Sequence, residues 1–94
     1  MNLIKKTTAS LTFNFPADLI GDLINFSPVK CSWEVSDPHL QHLVEAAAKV
    51  DVALLTSGEV HEDDVKVELF RSDGRSLDGS DGLTSGSMIV TRLR

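Results

Sequence analysis

The stretch from Val65 to Arg94, VKVELFRSDGRSLDGSDGLTSGSMIVTRLR, limits the fold more than any other part of the chain. Val65, Val67 and Leu69 alternate with Lys66, Glu68 and Phe70, so this run predicts a strand with one face turned to a core. Ser72, Asp73 and Gly74 follow, and an Asp-Gly pair between two strand-like runs predicts a hairpin turn. A short returning piece, Arg75 to Leu77, leads into a polar loop, Asp78 to Gly82, and then to one isolated apolar residue, Leu83, expected to plug the underside of the domain. Ser85-Gly86 reads as a second turn that launches a final strand, Ser87 to Leu93. Ile89, with Thr91 and Leu93 beyond it, is expected on the core face of that strand, and Met88, Val90 and Arg92 on the other.

Upstream, Ala9, Leu11, Phe13 and Phe15 alternate with Thr8, Ser10, Thr12 and Asn14, which predicts one half-buried strand over residues 7–15. Met1 to Lys6 either extends it or forms a flexible arm. Pro16 lacks an N–H to donate and ends the ladder. Leu19, Ile20, Leu23 and Ile24 then fall at helical spacing behind Asp18, giving one or two turns of helix over residues 17–24. That apolar tetrad is either a lid over one end of the core or an exposed contact for a partner or second copy, with Leu19 and Leu23 as its candidate contact residues.

Val29, Cys31, Trp33 and Val35 alternate with Lys30, Ser32 and Glu34 in the clearest strand of the chain. Trp33 is expected in the core with its indole N–H on a carbonyl. Asp37 as N-cap and Pro38 at the first helical position open the main helix, whose apolar stripe is expected to run through Leu40, Leu43, Val44, Ala47 and then Val50 or Leu54. No turn residue separates Lys49 from Val50, so the helix is expected to continue to Ser57-Gly58, the alternative being a strand from Val50 to Leu55. Glu59 to Asp64 is read as a solvated acidic connection.

At 94 residues the chain supports one domain over 1–94, with 1–6 as the arm. It has no apolar run long enough to span a membrane and no leader-like start, so a cytoplasmic location is expected. Fourteen acidic against nine basic side chains give a net charge of -5, which opposes binding to phosphate backbones, and no nucleic-acid or membrane partner is expected. The single cysteine, Cys31, excludes an internal disulfide and, by its alternation with Trp33 and Val35, reads as a buried apolar residue and not a nucleophile.

His39 and His42 have a spacing that can bring two imidazoles to one metal, with His61 among Glu62, Asp63 and Asp64 as a remote third ligand. Nothing fixes His61 near the other two, and no metal or cofactor is expected. The chain has neither a phosphate-binding glycine loop nor the ligand pattern of a calcium loop, and its paired carboxylates sit only in the acidic connection. The reading is therefore of a protein that is not an enzyme.

The order strand, turn, short strand, looped crossing with one buried leucine, turn, last strand resembles the second half of a ubiquitin-like β-grasp domain. The segment GLTSGSMIVTRLR, residues 82 to 94, is similar to that family's last strand and to the small cytosolic ubiquitin-like proteins of bacterial type VII secretion loci. The resemblance implies an α+β fold with a mixed sheet of four to five strands packed on one main helix, the last strand lying beside the first. The helical insertion between the first two strands departs from ubiquitin, which has a tight turn there. The resemblance also implies a docking face formed by Phe70, Met88 and Val90, and a conjugation tail at Arg92, Leu93 and Arg94, the point where ubiquitin's two glycines would begin. The function expected on this basis is non-covalent protein contact, with membership of a conjugation pathway, and activating and conjugating enzymes as partners, kept open although no terminal Gly-Gly is present. The alternatives are a non-conjugated scaffold that self-associates or joins a larger, secretion-type assembly, and a small phage- or plasmid-encoded inhibitor.

Overall fold

The computed structural model describes residues 3–8, 10–75 and 83–94. In chain order the elements are β1 (Leu3–Thr8), β2 (Leu11–Pro16), α1 (Leu19–Ile24), β3 (Val29–Val35), a 3-10 stretch (Pro38–Leu43) running into α2 (Val44–Leu55), a 3-10 turn (Glu62–Asp64), β4 (Val65–Phe70) and β5 (Ser85–Arg92). The five strands form one sheet in the order β1-β2-β3-β5-β4. Every neighbouring pair is antiparallel. The architecture is thus α+β as expected, but the sheet is not mixed. The final strand lies between β3 and β4 and not beside the first. Since both β3 and β4 run against β5, they are parallel to each other, and β3, the helical crossing and β4 form a βαβ unit split by β5.

The expected single strand over residues 7–15 is two strands. β1 folds back antiparallel on β2, with Thr8 opposite Leu11. Ser10 takes a φ of 70°, the left-handed region that tight hairpins use. The expected arm is therefore mostly an edge strand. Leu11, Phe13 and Phe15 of β2 keep the predicted inward alternation.

Val29, Cys31, Trp33 and Val35 are all buried, and Trp33 Nε1 donates to the Ser87 carbonyl at 2.9 Å. Gly86 is not a turn residue but stands inside β5, opposite Trp33. A methyl group there would strike the Phe70 carbonyl oxygen and lie 2.9 Å from Trp33 Cζ2, so the position is open only to a residue without a side chain.

The helix begins as expected, with Asp37 Oδ1 accepting from His39 N–H at 2.9 Å and Pro38 in the first turn. It continues through Leu55, so residues 50–55 are helix. It ends in a Schellman arrangement in which Gly58 N–H donates to Ala53 O at 3.0 Å and Ser57 N–H to Leu54 O at 3.1 Å. Its buried face is Gln41, Val44, Ala48, Asp51 and Val52, while Leu43, Val50 and Leu54 are exposed. Within α2 the buried face follows Val44, Ala48, Asp51 and Val52, which at about 100° per residue leaves Val50 and Leu54 to one side. Ahead of it Pro38–Leu43 winds as a 3-10 helix, which brings Gln41 and not Leu43 onto that face. Each residue of such a helix advances about 120° instead of about 100°, which carries the phase round by roughly a third of a turn over six residues.

Val60, in the acidic connection, is also buried, its N–H bonded to Thr56 Oγ1 at 3.2 Å. Leu83 packs against the core and its N–H donates to Gln41 Oε1 at 3.1 Å, as the plug reading required. The expected strand at Arg75 to Leu77 and loop at Asp78 to Gly82 fall, apart from Arg75, outside the described residues. Among the described residues no helix is long and apolar enough to cross a membrane.

Replacing Gly86 with Ala is expected to lower unfolding stability by about 1–3 kcal/mol or more, as overpacking against backbone does. Urea unfolding followed through the fluorescence of Trp33 measures it, and an unchanged midpoint would refute the close contact.

Candidate contact surface

The sheet's register decides which side chains can meet a partner. Met88 pairs with Cys31 on one side and Leu69 on the other, and Val90 with Val29 and Val67. Residues directly opposite share a face of the pleat, so Met88 and Val90 join the buried set and are wholly enclosed. Their expected role as docking residues is corrected. Ile89, expected in the core, lies on the open face between Lys30 and Glu68 and is half-buried. Phe70 pairs with Ser87 on that same open face, as expected, but its apolar company there is Ile89 and not Met88 or Val90.

Leu19 and Leu23 are also fully buried, so they form the lid and not a contact. α1 nevertheless has a second apolar side. Ile20 is 37% exposed, Ile24 46% and Phe26, in the turn that ends the helix, 52%. That turn is again a Schellman arrangement, with Ser27 N–H donating to Asp22 O at 2.8 Å and Phe26 N–H to Leu23 O at 3.1 Å. The residue in the left-handed position is Phe26, at a φ of 58°, where glycine is the usual occupant. A bulky residue there carries backbone strain of the order of ~1–2 kcal/mol.

Arg92, at the end of β5, places its guanidinium 4.6 Å from the centre of the Phe26 ring, and its Nε donates to the Arg94 carbonyl. Stacking of this kind, at an exposed site, is worth ~0.5–1 kcal/mol. Leu93 N–H donates to Asp64 O at 2.7 Å while its side chain is 57% exposed. Of the three residues read as a tail, Arg92 is therefore held in the ladder and over an aromatic ring, Leu93 is held by its backbone, and Arg94 accepts the Arg92 Nε bond at its carbonyl. Composition and spacing point to α1, but the pair expected to make contact, Leu19 and Leu23, is the inward one; Ile20 and Ile24 are the outward pair, and Phe26 carries no expectation at all.

The titratable groups singled out in the sequence serve local structure. The Nδ1–H of His42 donates to the His39 carbonyl at 2.6 Å, and His61 Nδ1 accepts from Asp63 N–H at 3.1 Å to cap the short 3-10 turn. Among the described residues no three His, Cys, Asp or Glu side chains gather to hold a metal ion. Cys31 is buried, and loss of water pushes its thiol up to about 12, so almost none of it is thiolate near neutral pH.

Asp51 is the one buried carboxylate of α2. Burial raises it above its ordinary value, and the positive charge of Lys6 partly pulls it back. In register, Lys6 stands opposite Phe13 and so on the helix-covered face of edge strand β1. A charge turned inward on an edge strand opposes pairing with a further strand.

No protein-family model, curated protein or solved structure matches the chain.

Two measurements follow from these groups. Native Cys31 is expected to resist alkylation at pH 7–8 and to react at once after unfolding; fast labelling of the folded protein would contradict its burial. For Asp51, the unfolded state ionises first as pH rises through 3.8, so its share of stability is full below that value and is lost as pH climbs toward the raised native value. Asp51→Asn is therefore expected to stabilise the protein at pH 7, with the advantage shrinking as acid protonates the carboxyl. Lys6→Met should move the loss to higher pH. Equal pH profiles for wild type and Asp51→Asn would sink this account.

Proposed function

We propose that this protein works by non-covalent contact with another protein and not by catalysis, through the surface made by α1, its C-terminal turn and the end of β5. The observation that carries this reading is the persistence of Ile20, Ile24 and Phe26 in solvent beside a helix whose other side, Leu19 and Leu23, is sealed. An apolar cluster of this kind, rimmed by polar residues, is a common mark of an interaction site. The strained φ of Phe26 supports it, because an aromatic residue held in a position suited to glycine, half in solvent and stacked on Arg92, is the kind of local strain that gathers at binding surfaces.

The open face of the sheet is the weaker choice. Its exposed residues are mainly polar or charged, with Lys66 and Glu68 paired at 3.6 Å, and Phe70 and Ile89 each half-covered. The ubiquitin-like modifier reading shares the idea of protein contact. It draws little support from a last strand placed between β3 and β4, or from a Leu93 whose backbone is tied to Asp64.

Cross-linking of the full chain in an extract of its source cells, read by intact mass, tests the proposal. Adducts are expected to disappear with Ile24→Asp and to persist with Phe70→Asp. The reverse pattern would transfer the function to the sheet face, and an adduct that survives denaturation without cross-linker would point to a conjugated modifier.

A further inference from the structure

We infer that the partner for the α1 surface is a second copy of this chain, the two α1 helices crossing antiparallel about a two-fold axis; this rests on the contact reading above. The first reason is Gly21. It stands in the middle of a six-residue helix, where glycine costs about 1 kcal/mol relative to alanine, and a Cβ built on it meets nothing within 4 Å. Neither packing nor a positive φ within the molecule requires glycine there. Between the exposed Ile20 and Ile24, a missing side chain lets another backbone approach closely. Close approach needs a small residue on both partners, and a self-contact provides it from a single position.

The second reason is the arrangement of charge. Asp18 and Asp22 lie at the start and middle of α1, no basic residue lies in its last turn, and the cation at its far end is Arg92, held over Phe26. An antiparallel crossing brings the acidic end of each helix toward the Arg92 end of the other, so the same complementary contact forms twice, as an isologous interface demands. A parallel arrangement would set like charges together. With a helix only about 9 Å long the contact belongs to the small, transient class of interfaces, so the dimer forms at high protein concentration.

Sedimentation equilibrium of the purified full chain over a wide concentration range tests this. A reversible monomer–dimer equilibrium is expected. Gly21→Gln should raise the thermal midpoint, because glutamine is the better helix former and a Cβ at this position meets nothing within 4 Å in the monomer, while weakening the dimer ~tenfold or more. Asp22→Arg and Arg92→Asp should each weaken it, and the double exchange should restore part of the loss. A chain that stays monomeric at every concentration, or a dimer unaffected by Gly21→Gln, overturns the inference. If the purified chain is monomeric but extract adducts still vanish with Ile24→Asp, the surface binds a different protein and only the second copy is wrong. If those adducts are also insensitive, both readings fall.

Discussion

The placement of β5 between β3 and β4 is the constraint on which the rest of the molecule depends. Its pairings set Met88 between Cys31 and Leu69, and Val90 between Val29 and Val67, and so define which face of the sheet is the core. The same strand gives up a side chain at Gly86 to admit the Trp33 ring and lends the Ser87 carbonyl to the indole N–H. A large aromatic group is thus buried with its polar atom satisfied, which an apolar pocket alone would not achieve. At its far end β5 delivers Arg92 to Phe26, coupling the core to the α1 surface, where Ile20, Ile24 and Phe26 remain in solvent.

Much of the fold was legible because several segments state their period plainly. Val29–Val35 alternates without fault, and its inward residues are the buried ones. Asp37-Pro38 marked the helix start, and the absence of a breaker after Lys49 correctly favoured a helix through Leu55. Leu83 behaved as the isolated leucine suggested. Where the chain was misread, its local signal was ambiguous. Met88-Ile89-Val90 is apolar at three successive positions, so either face could have been inward, and only the partners Cys31 and Leu69 decide the parity. Between Leu3 and Pro16 the sequence contains neither glycine nor an Asn-Gly or Asp-Gly pair, so nothing in composition marks the reversal from β1 to β2. The 3-10 winding of Pro38–Leu43 puts Gln41 and not Leu43 on the buried side, a change of phase that α-helical spacing does not give.

The contact surface was only half legible for a related reason. Four apolar residues on six positions of α1 outnumber what one face of so short a helix can bury, but the sequence does not say which two face inward. Leu19 and Leu23 take the inward places because β3 and β5 lie beneath them. Phe26 escaped notice because a left-handed backbone at an aromatic residue has no sequence signature. Conversely, the family-like ending at residues 82 to 94 was a true signal for a strand and a misleading one for its neighbours, since the same alternation suits any antiparallel pairing.

The split βαβ unit has a bearing on how the chain reaches its native state. β3 and β4 flank a gap one strand wide, and the element that fills it comes after both in the chain. Until residues 85–92 arrive, each of those two strands offers unpaired backbone to solvent, and Trp33 has no carbonyl to bind. Closure of the centre is therefore a matter of long-range pairing, which local contacts cannot supply, and the two strand edges stay open to mispairing until it forms.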